Sequence, residues 1–221
     1  MIVTDSYRDR IKTDSGAAER YLERKSSKHQ AEMNLITRAV TALPPARYLD
    51  IPCGTGRASI LLARLGNECR AADLGDGVIT VAKHELYKAG VVCRVDKEDI
   101  EQMTYADQAF DNLLVFRLFH HFPNEDVRQR VVAELCRVAK SHVLISYLSP
   151  HSVTSIKRRL RAALGGKVSR QHATSLKELE GYFREQGFEL ANDYSRAYFI
   201  HSLHLAVFRR IPPERNDRMT R

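Results

Sequence analysis

The stretch YLDIPCGTGR, residues 48–57, decides how the rest of the sequence is interpreted. A short apolar strand is predicted over 47–51 and a helix over 57–65, so Gly54 and Gly56 lie in the turn between them. Glycine lets a backbone turn tightly and approach a ligand closely, and the start of the helix offers free N–H groups. In open α/β sheets the first such turn is a preferred ligand site. A tight turn without a ligand is the alternative.

Strands and helices alternate after this turn. The alternation with short connections implies parallel strands joined by right-handed crossovers. The last two strands leave no room for a helix between them, so they must be antiparallel neighbours. The sequence therefore predicts a single-domain, Rossmann-like, doubly wound α/β sheet of seven strands, mostly parallel with an antiparallel last strand. The predicted strands are 47–51, 68–73, 91–95, 110–116, 142–147, 188–194 and 201–209, and the main helices are 17–43, 57–65, 78–89, 125–139, 152–164 and 176–186.

Length and composition fit one folded domain. The 221 residues include 43% hydrophobic and 28% charged residues, which is typical of a globular protein. We predict a flexible N-terminus (1–16), a domain over 17–210 with a basic insert at 151–173, and a disordered tail (211–221). The four cysteines form no C-x-x-C pair, which argues against a structural zinc site, and no metal site is predicted. No signal peptide or apolar run of roughly 20 residues is visible, so a cytoplasmic protein without a transmembrane segment is expected.

Acidic residues follow the second and third predicted strands. Asp73 ends the second strand, where a carboxylate can accept both hydroxyls of a ribose. Asp99 follows the third strand, where it could accept a hydrogen bond from an adenine amino group while Ile100 packs on the ring. Because the carboxyl ends of parallel strands meet at one edge of the sheet, this ordered set predicts a nucleoside-binding site.

The segment from Asp50 to Gly56, with its Cys-Gly-x-Gly turn, resembles the first motif of class I S-adenosylmethionine (SAM)-dependent methyltransferases. Asp73 resembles the ribose-binding acid of that family, and Asp99-Ile100 its adenine-side motif. Residues 110–122 are similar to the fourth-strand motif of the small-molecule branch, the ubiquinone-biosynthesis-like and type 11 enzymes. The resemblance extends over roughly residues 20–210, with Pro52 as a departure where many members have glycine. It implies SAM as the cofactor, S-adenosylhomocysteine (SAH) as the product, and cofactor binding by Asp50, Ile51, Pro52, Cys53, Gly54, Thr55, Gly56, Asp73, Leu74, Asp99, Ile100, Phe116, Arg117 and Arg24.

His120 and His121 are the candidate catalytic residues. They follow the fourth strand, at the rim where an acceptor would lie, and imidazole titrates near neutral pH. A base is needed only if the acceptor holds a proton of high pKa. The alternative is that the two histidines cap a loop or pack on the sheet, and Arg117 could equally neutralise a neighbouring carboxylate.

The insert at 151–173 carries six cations and no acid. Val153, Ile156, Leu160 and Leu164 recur at helical spacing, which predicts an amphipathic helix over 152–164. The resemblance implies a lid over the acceptor pocket, and the cations favour an anionic acceptor, namely a phosphorylated metabolite, an acidic lipid headgroup or RNA. A solvated helix face is the alternative. The cations are Lys157, Arg158, Arg159, Arg161, Lys167 and Arg170.

Four functions are consistent with these patterns. The favoured one is methyl transfer from SAM to an O or N atom of a small molecule held near the basic insert. An RNA or protein methyltransferase is the second, but 151–173 lacks the aromatic residues on which single-stranded bases stack. A SAM-binding protein without catalysis is the third. A dehydrogenase is the fourth, although Ser59 stands where a dinucleotide fingerprint needs its third glycine. The acceptor and the oligomeric state stay open.

Overall fold

The computed structural model describes residues 26–165, 171–195 and 202–212. Its seven strands are β1 (Arg47–Asp50), β2 (Glu68–Asp73), β3 (Arg94–Lys97), β4 (Phe110–Val115), β5 (Ala139–Leu148), β6 (Phe188–Ser195) and β7 (Leu203–Arg210). Its helices are α1 (Ser26–Val40), α2 (Arg57–Arg64), α3 (Asp76–Lys88), α4 (Glu125–Val138), α5 (Val153–Ala163) and α6 (Leu176–Glu185), with a 3-10 turn at Phe119–His121. Among these residues, no helix combines the length and the apolarity needed to cross a lipid bilayer.

All seven strands belong to one sheet, in the order β3-β2-β1-β4-β5-β7-β6. The first five strands pair in parallel, whereas β7 pairs antiparallel with both β5 and β6. The predicted mostly parallel sheet with an antiparallel last strand is confirmed.

Helices cover both faces of the sheet, and β4 lies at its centre. Leu113 and Val115 pack in the cluster under α4 and α6, while Leu114 packs in the cluster under α1 and α2. A third, smaller cluster joins α3 to β2 and β3. Burial on both faces explains the apolar run at 113–116, in the second half of β4 and just after it.

The third strand is displaced from its predicted position. The apolar run at 91–95 suggested a strand, but Val92 is fully exposed and the Val91 N–H donates to Leu86 O, which ends α3. Pairing with β2 begins only at Arg94, opposite Arg70. The prediction was wrong because hydrophobicity alone does not distinguish a helix-ending turn from the strand that follows it.

Other boundaries differ in smaller ways. β5 runs over Ala139–Leu148 rather than 142–147, and its antiparallel partner β7 is paired with it from His142 onwards. Of the predicted helix 17–43, the described part is Ser26–Val40. The predicted flexible N-terminus and most of the predicted tail fall outside the described residues.

Candidate functional site

The glycine turn is fixed at the carboxyl ends of β1 and its two neighbours. The Ile51 N–H donates to Leu114 O of β4 (3.0 Å), and the Cys53 N–H donates to Ala72 O of β2 (2.8 Å). The Ile51–Pro52 peptide bond is cis. These bonds hold the turn from both sides, so its shape is set by the sheet.

The two glycines of the turn serve different purposes. Both have positive φ, 55° at Gly54 and 80° at Gly56, a region that favours glycine. A Cβ at Gly54 would meet nothing within 4 Å, whereas one at Gly56 would lie 3.4 Å from Ala82 O and 3.5 Å from Leu86 Cγ. Gly56 therefore permits close packing of α2 against α3, and Gly54 leaves open space in front of the turn.

The Asp73 carboxylate is tied to this turn. Its Oδ2 accepts from the Gly54 N–H (3.0 Å) and its Oδ1 from the Gly75 N–H (3.2 Å). Burial raises the pKa of Asp73, and the N–H donors of Gly75 and Gly54 oppose that rise. A buried acid with both oxygens oriented by backbone groups is pre-organised to receive further donors.

Asp50 is more deeply buried, with 1% of its surface exposed. Its Oδ2 accepts from Ser59 Oγ (2.6 Å), whereas its Oδ1 has no hydrogen-bond partner among the described residues. Burial raises the pKa of Asp50 to about 7; the Ser59 hydrogen bond lowers it and the charge of Asp73 adds to the rise. An unsatisfied buried carboxylate oxygen is costly, so this atom identifies a place for a ligand donor.

Cys53 is buried within the turn, and burial raises the pKa of its thiol well above the usual range. The charges of Asp50 and Asp73 act in the same direction. The thiol therefore stays protonated, which makes Cys53 a packing residue rather than a nucleophile.

The acidic motif after β3 lies beside Asp73. The Glu98 N–H donates to Asp73 O (3.0 Å), and Glu98 itself is buried and accepts from the Thr104 N–H (2.8 Å). Asp99 is half-buried, and its Oδ1 accepts from the Glu101 N–H (3.0 Å). Ile100 is buried in the core. The predicted sequence of Gly turn, Asp73 and Asp99 thus occupies one edge of the sheet, with Leu74 half-buried beside it.

Arg117 pairs with a carboxylate that the sequence analysis did not identify. Its Nη1 lies 3.7 Å from Glu32 Oε1, and the Glu32 side chain, on α1, is only 6% exposed. The Arg117 N–H donates to Ser146 Oγ (2.6 Å), and its φ is 65°. The cation therefore neutralises a buried acid at the rim after Phe116, as the alternative interpretation had it. Arg24, which was also predicted to contact the cofactor, lies outside the described residues.

The two candidate catalytic histidines form the 3-10 turn after β4. His120 is 1% exposed and its ring centroid lies 4.3 Å from that of the half-buried His121. The His120 carbonyl accepts from the His172 N–H (2.9 Å), and the Thr174 N–H donates to Leu148 O (3.0 Å). The end of the insert is thereby attached to the rim between β4 and β5.

A buried polar cluster at the neighbouring end of the sheet was missed. Asp193 Oδ2 accepts from Tyr147 Oη (3.0 Å) and lies 2.8 Å from His204 Nδ1. All three side chains are nearly inaccessible, and they come from β6, β5 and β7. In the sequence each is only a polar residue within a predicted strand, which does not reveal that the three meet.

The basic insert forms its helix as predicted, over Val153–Ala163, directly after the carboxyl end of β5. Lys157 and Arg161 are exposed. The side chains of Arg158 and Arg159, and all of Lys167 and Arg170, lie outside the description. Within the described residues, no three His, Cys, Asp or Glu side chains form a group that could hold a metal ion.

Comparison with known proteins agrees with this geometry. Residues 49–146 match the model of a family described as a methyltransferase domain. The chain is 32% identical over 100 residues to a ubiquinone biosynthesis O-methyltransferase of Hahella chejuensis, an alignment that covers 45% of this chain and 41% of that one. The chain thus spans less than half the length of that curated relative.

Two solved structures share the fold. Magnesium protoporphyrin IX methyltransferase from Synechocystis PCC 6803, solved with bound SAH, superposes with a TM-score of 0.71 at 17% identity, over 82% of this chain and 83% of that one. A SAM-dependent methyltransferase from Clostridium acetobutylicum gives 0.70 at 12% identity, over 90% and 100%. At these identities the likeness establishes the fold.

Proposed function

We propose that this chain, whose residues 49–146 match the model of a methyltransferase domain, transfers a methyl group from SAM to an oxygen or nitrogen atom of a small anionic molecule. The observation that carries the proposal is the pair of buried carboxylates at the glycine turn: Asp73, which accepts from the Gly54 N–H, and Asp50, whose Oδ1 has no hydrogen-bond partner among the described residues.

The residues of this edge fit the parts of SAM. Asp50 Oδ1, buried and without a described partner, suits the ammonium group of the methionine portion. Asp73 suits the ribose hydroxyls, since a carboxylate can accept about four hydrogen bonds and its backbone donors, Gly54, Gly75 and Leu74, leave capacity. Asp99 suits the adenine amino group. Bound SAM supplies a methyl group already activated by its sulfonium.

The residues of the chain must then position the acceptor and, where it carries a hydroxyl, remove its proton. Positioning alone can remove much of the barrier to an in-line displacement. The partial exposure of His121 supports it as the base for an acceptor hydroxyl, whereas the burial of His120 supports a bracing role against the 172–174 segment.

The acceptor class rests on two further observations. Lys157 and Arg161 are exposed on the helix that follows β5, which favours a negatively charged molecule. The relative from Hahella chejuensis is named an O-methyltransferase, which favours oxygen over nitrogen. An RNA acceptor is less well supported because 151–173 contains no aromatic residue.

Calorimetric titration with SAM, SAH and NADH tests the cofactor. We expect both sulfur ligands to bind and NADH not to bind. Asp73→Ala should weaken SAH binding roughly ten- to a hundredfold because a hydrogen bond to a charged group is lost. Asp76→Ala is the matched control, since Asp76 is three residues away and exposed. Equal losses in both variants, or no binding by the folded protein, would contradict the proposal.

Transfer of a labelled methyl group to a panel of anionic and neutral phenols and amines tests the activity. His121→Gln should lower kcat, and His84→Gln, on the exposed side of α3, should not. SAH binding without transfer to any acceptor would favour the alternative of a SAM-binding protein without catalysis.

A further inference from the structure

Helix α5 turns its apolar side towards solvent. Val153, Ile156 and Leu160, together with Leu164 directly after the helix, form an apolar stripe, and they are 43, 46, 59 and 87% exposed. Elsewhere in the described residues, only Tyr87, Val92 and Ile211 are large apolar side chains of comparable exposure. A surface helix ordinarily buries such a stripe. A contiguous exposed apolar patch marks an interaction site.

Ser155 is the buried residue of α5 among those whose side chains the structure describes. Its N–H donates to Ser152 Oγ (3.1 Å) and its Oγ to Ser149 O (2.7 Å). With about 3.6 residues per turn, Ser155 projects roughly opposite the apolar stripe. Ser155 therefore ties the first turn of α5 to the loop after β5, while the apolar stripe on the other side of the helix is exposed.

Cations flank the apolar stripe. Lys157 and Arg161 are exposed and follow Ile156 and Leu160 directly in sequence, so they project from one margin of the stripe. The whole segment 151–173 has six cations and no acid. An apolar stripe bordered by Lys and Arg is the pattern of helices that lie in the interface of an anionic bilayer, where long basic side chains reach the phosphates while their stems cover apolar surface.

A second copy of the chain suits this face less well. A two-fold interface would bring the same stripe from each protomer together and, with it, the same cations. Like charges would then face each other across the apolar contact, which is destabilising. An anionic lipid surface would bury the apolar stripe and also pair its phosphates with the cations beside it.

We propose that α5 docks this protein on the surface of anionic membranes, with its apolar stripe in the headgroup boundary and Lys157 and Arg161 on lipid phosphates. Because α5 follows Leu148 at the carboxyl end of β5, docking would bring the ligand-binding edge of the sheet close to the bilayer. The proposal concerns a surface and does not depend on the methyl transfer proposed above.

Vesicle flotation of the full chain tests it, with phosphatidylcholine alone and with phosphatidylglycerol added to about a third of the lipid. We expect binding only to the mixed vesicles, and release at high salt because surface electrostatics is screened. Replacing both Ile156→Asn and Leu160→Asn should abolish binding, whereas Tyr87→Asn, an equally drastic change at an exposed site on α3, should not. Lys157→Gln and Arg161→Gln should each weaken binding about fivefold, and Lys83→Gln should have no effect.

Three outcomes would overturn the proposal: no flotation of the unaltered protein, equal flotation with the two kinds of vesicle, or equal losses in the α5 and Tyr87→Asn variants. Light scattering that shows a dimer which the α5 double variant dissociates, without vesicle binding, would identify a second copy as the occupant. SAH binding and thermal unfolding of every variant monitor the fold. Flotation by a protein that binds no SAM or SAH would refute the proposed function and leave the docking surface intact.

Discussion

The glycine turn and helix α5 both follow the carboxyl ends of parallel strands, but the turn buries charged groups and the helix exposes apolar ones. At the turn, the carboxylates of Asp50 and Asp73 are buried and oriented by hydrogen bonds. On α5, the buried Ser155 faces the protein, whereas Ile156 and Leu160 face solvent. Burying the charged groups of the turn costs free energy, and this cost is tolerable only where a ligand supplies hydrogen bonds or opposite charge to them. The helix has left apolar area uncovered, which points to a contact made outside the chain.

This contrast predicts that substitutions at the turn affect folding and ligand binding strongly, whereas those on α5 leave the fold nearly unchanged. Four measurements test it.

Gly56→Val should have the largest effect on stability. A β-branched residue at φ 80° is strained, and its side chain would press on Ala82 O and Leu86. We expect a loss of about 3 kcal/mol in the free energy of unfolding, measured by urea denaturation. Gly54→Ala is the comparison, because its Cβ meets open space; it should cost less stability. If Gly54→Ala were the more destabilising, the division of roles between the glycines would be wrong.

Arg117→Gln tests whether the Glu32–Arg117 pair stabilises the fold, as the buried groups of the turn are expected to do. Its removal leaves the buried Glu32 without its cation, so we expect unfolding to become easier by about 2 kcal/mol. Lys97→Gln removes one partner of the exposed Lys97–Asp76 pair and should change stability little. Similar values for both variants would mean that burial of Glu32 does not govern the pair.

The pH dependence of SAH binding tests Asp50. Its pKa of about 7 lies above the unfolded value, so the folded protein holds this proton to a higher pH than the unfolded chain does. Unfolding of the ligand-free protein should therefore become easier as the pH rises from about 4 to about 7. An ammonium ligand needs the charged carboxylate, so SAH affinity should fall about tenfold from pH 8 to pH 6. Asp50→Asn should remove this dependence; a wild-type profile in the variant would assign it elsewhere.

Leu160→Ala should have the smallest effect. Leu160 is 59% exposed, so we expect a change in unfolding free energy within about 0.5 kcal/mol. The same substitution at Leu62, fully buried on α2, should cost about 3 kcal/mol by thermal or urea unfolding. A large loss at Leu160 would show that the stripe is covered by this chain in solution.

The sequence predicted the sheet well because its signals were local. The apolar run at 113–116 and the glycine turn each depend on their own surroundings, and the alternation of strands and helices predicts parallel pairing. β3 was displaced because Val91 and Val92 are apolar but belong to the end of α3.

The candidate site was predictable only in part, because some of its contacts join distant positions. Asp73 was predicted from its place at the end of a strand, and Asp50 from the resemblance of its segment to the family's first motif. The Glu32–Arg117 pair joins residues 85 positions apart, and the Tyr147–Asp193–His204 cluster needs three strands to be paired in register. Neither leaves a pattern in the sequence. The periodicity of α5 predicted its amphipathic character but not which side faces the protein, because a helix repeat carries no reference to its neighbours.

The order of the last strands has a consequence for how the chain is made. β7 lies between β5 and β6, although it is synthesised after both. Until residues 203–210 leave the ribosome, β6 has no partner in the sheet and β5 is an open edge with unpaired N–H and C=O groups. Since domains form from the N-terminal end during synthesis, the glycine turn can be complete while β5 is still open to other strands. Once β7 is released, it pairs with β5 and β6 at the same time, which covers the open edge of β5 and joins β6 to the sheet.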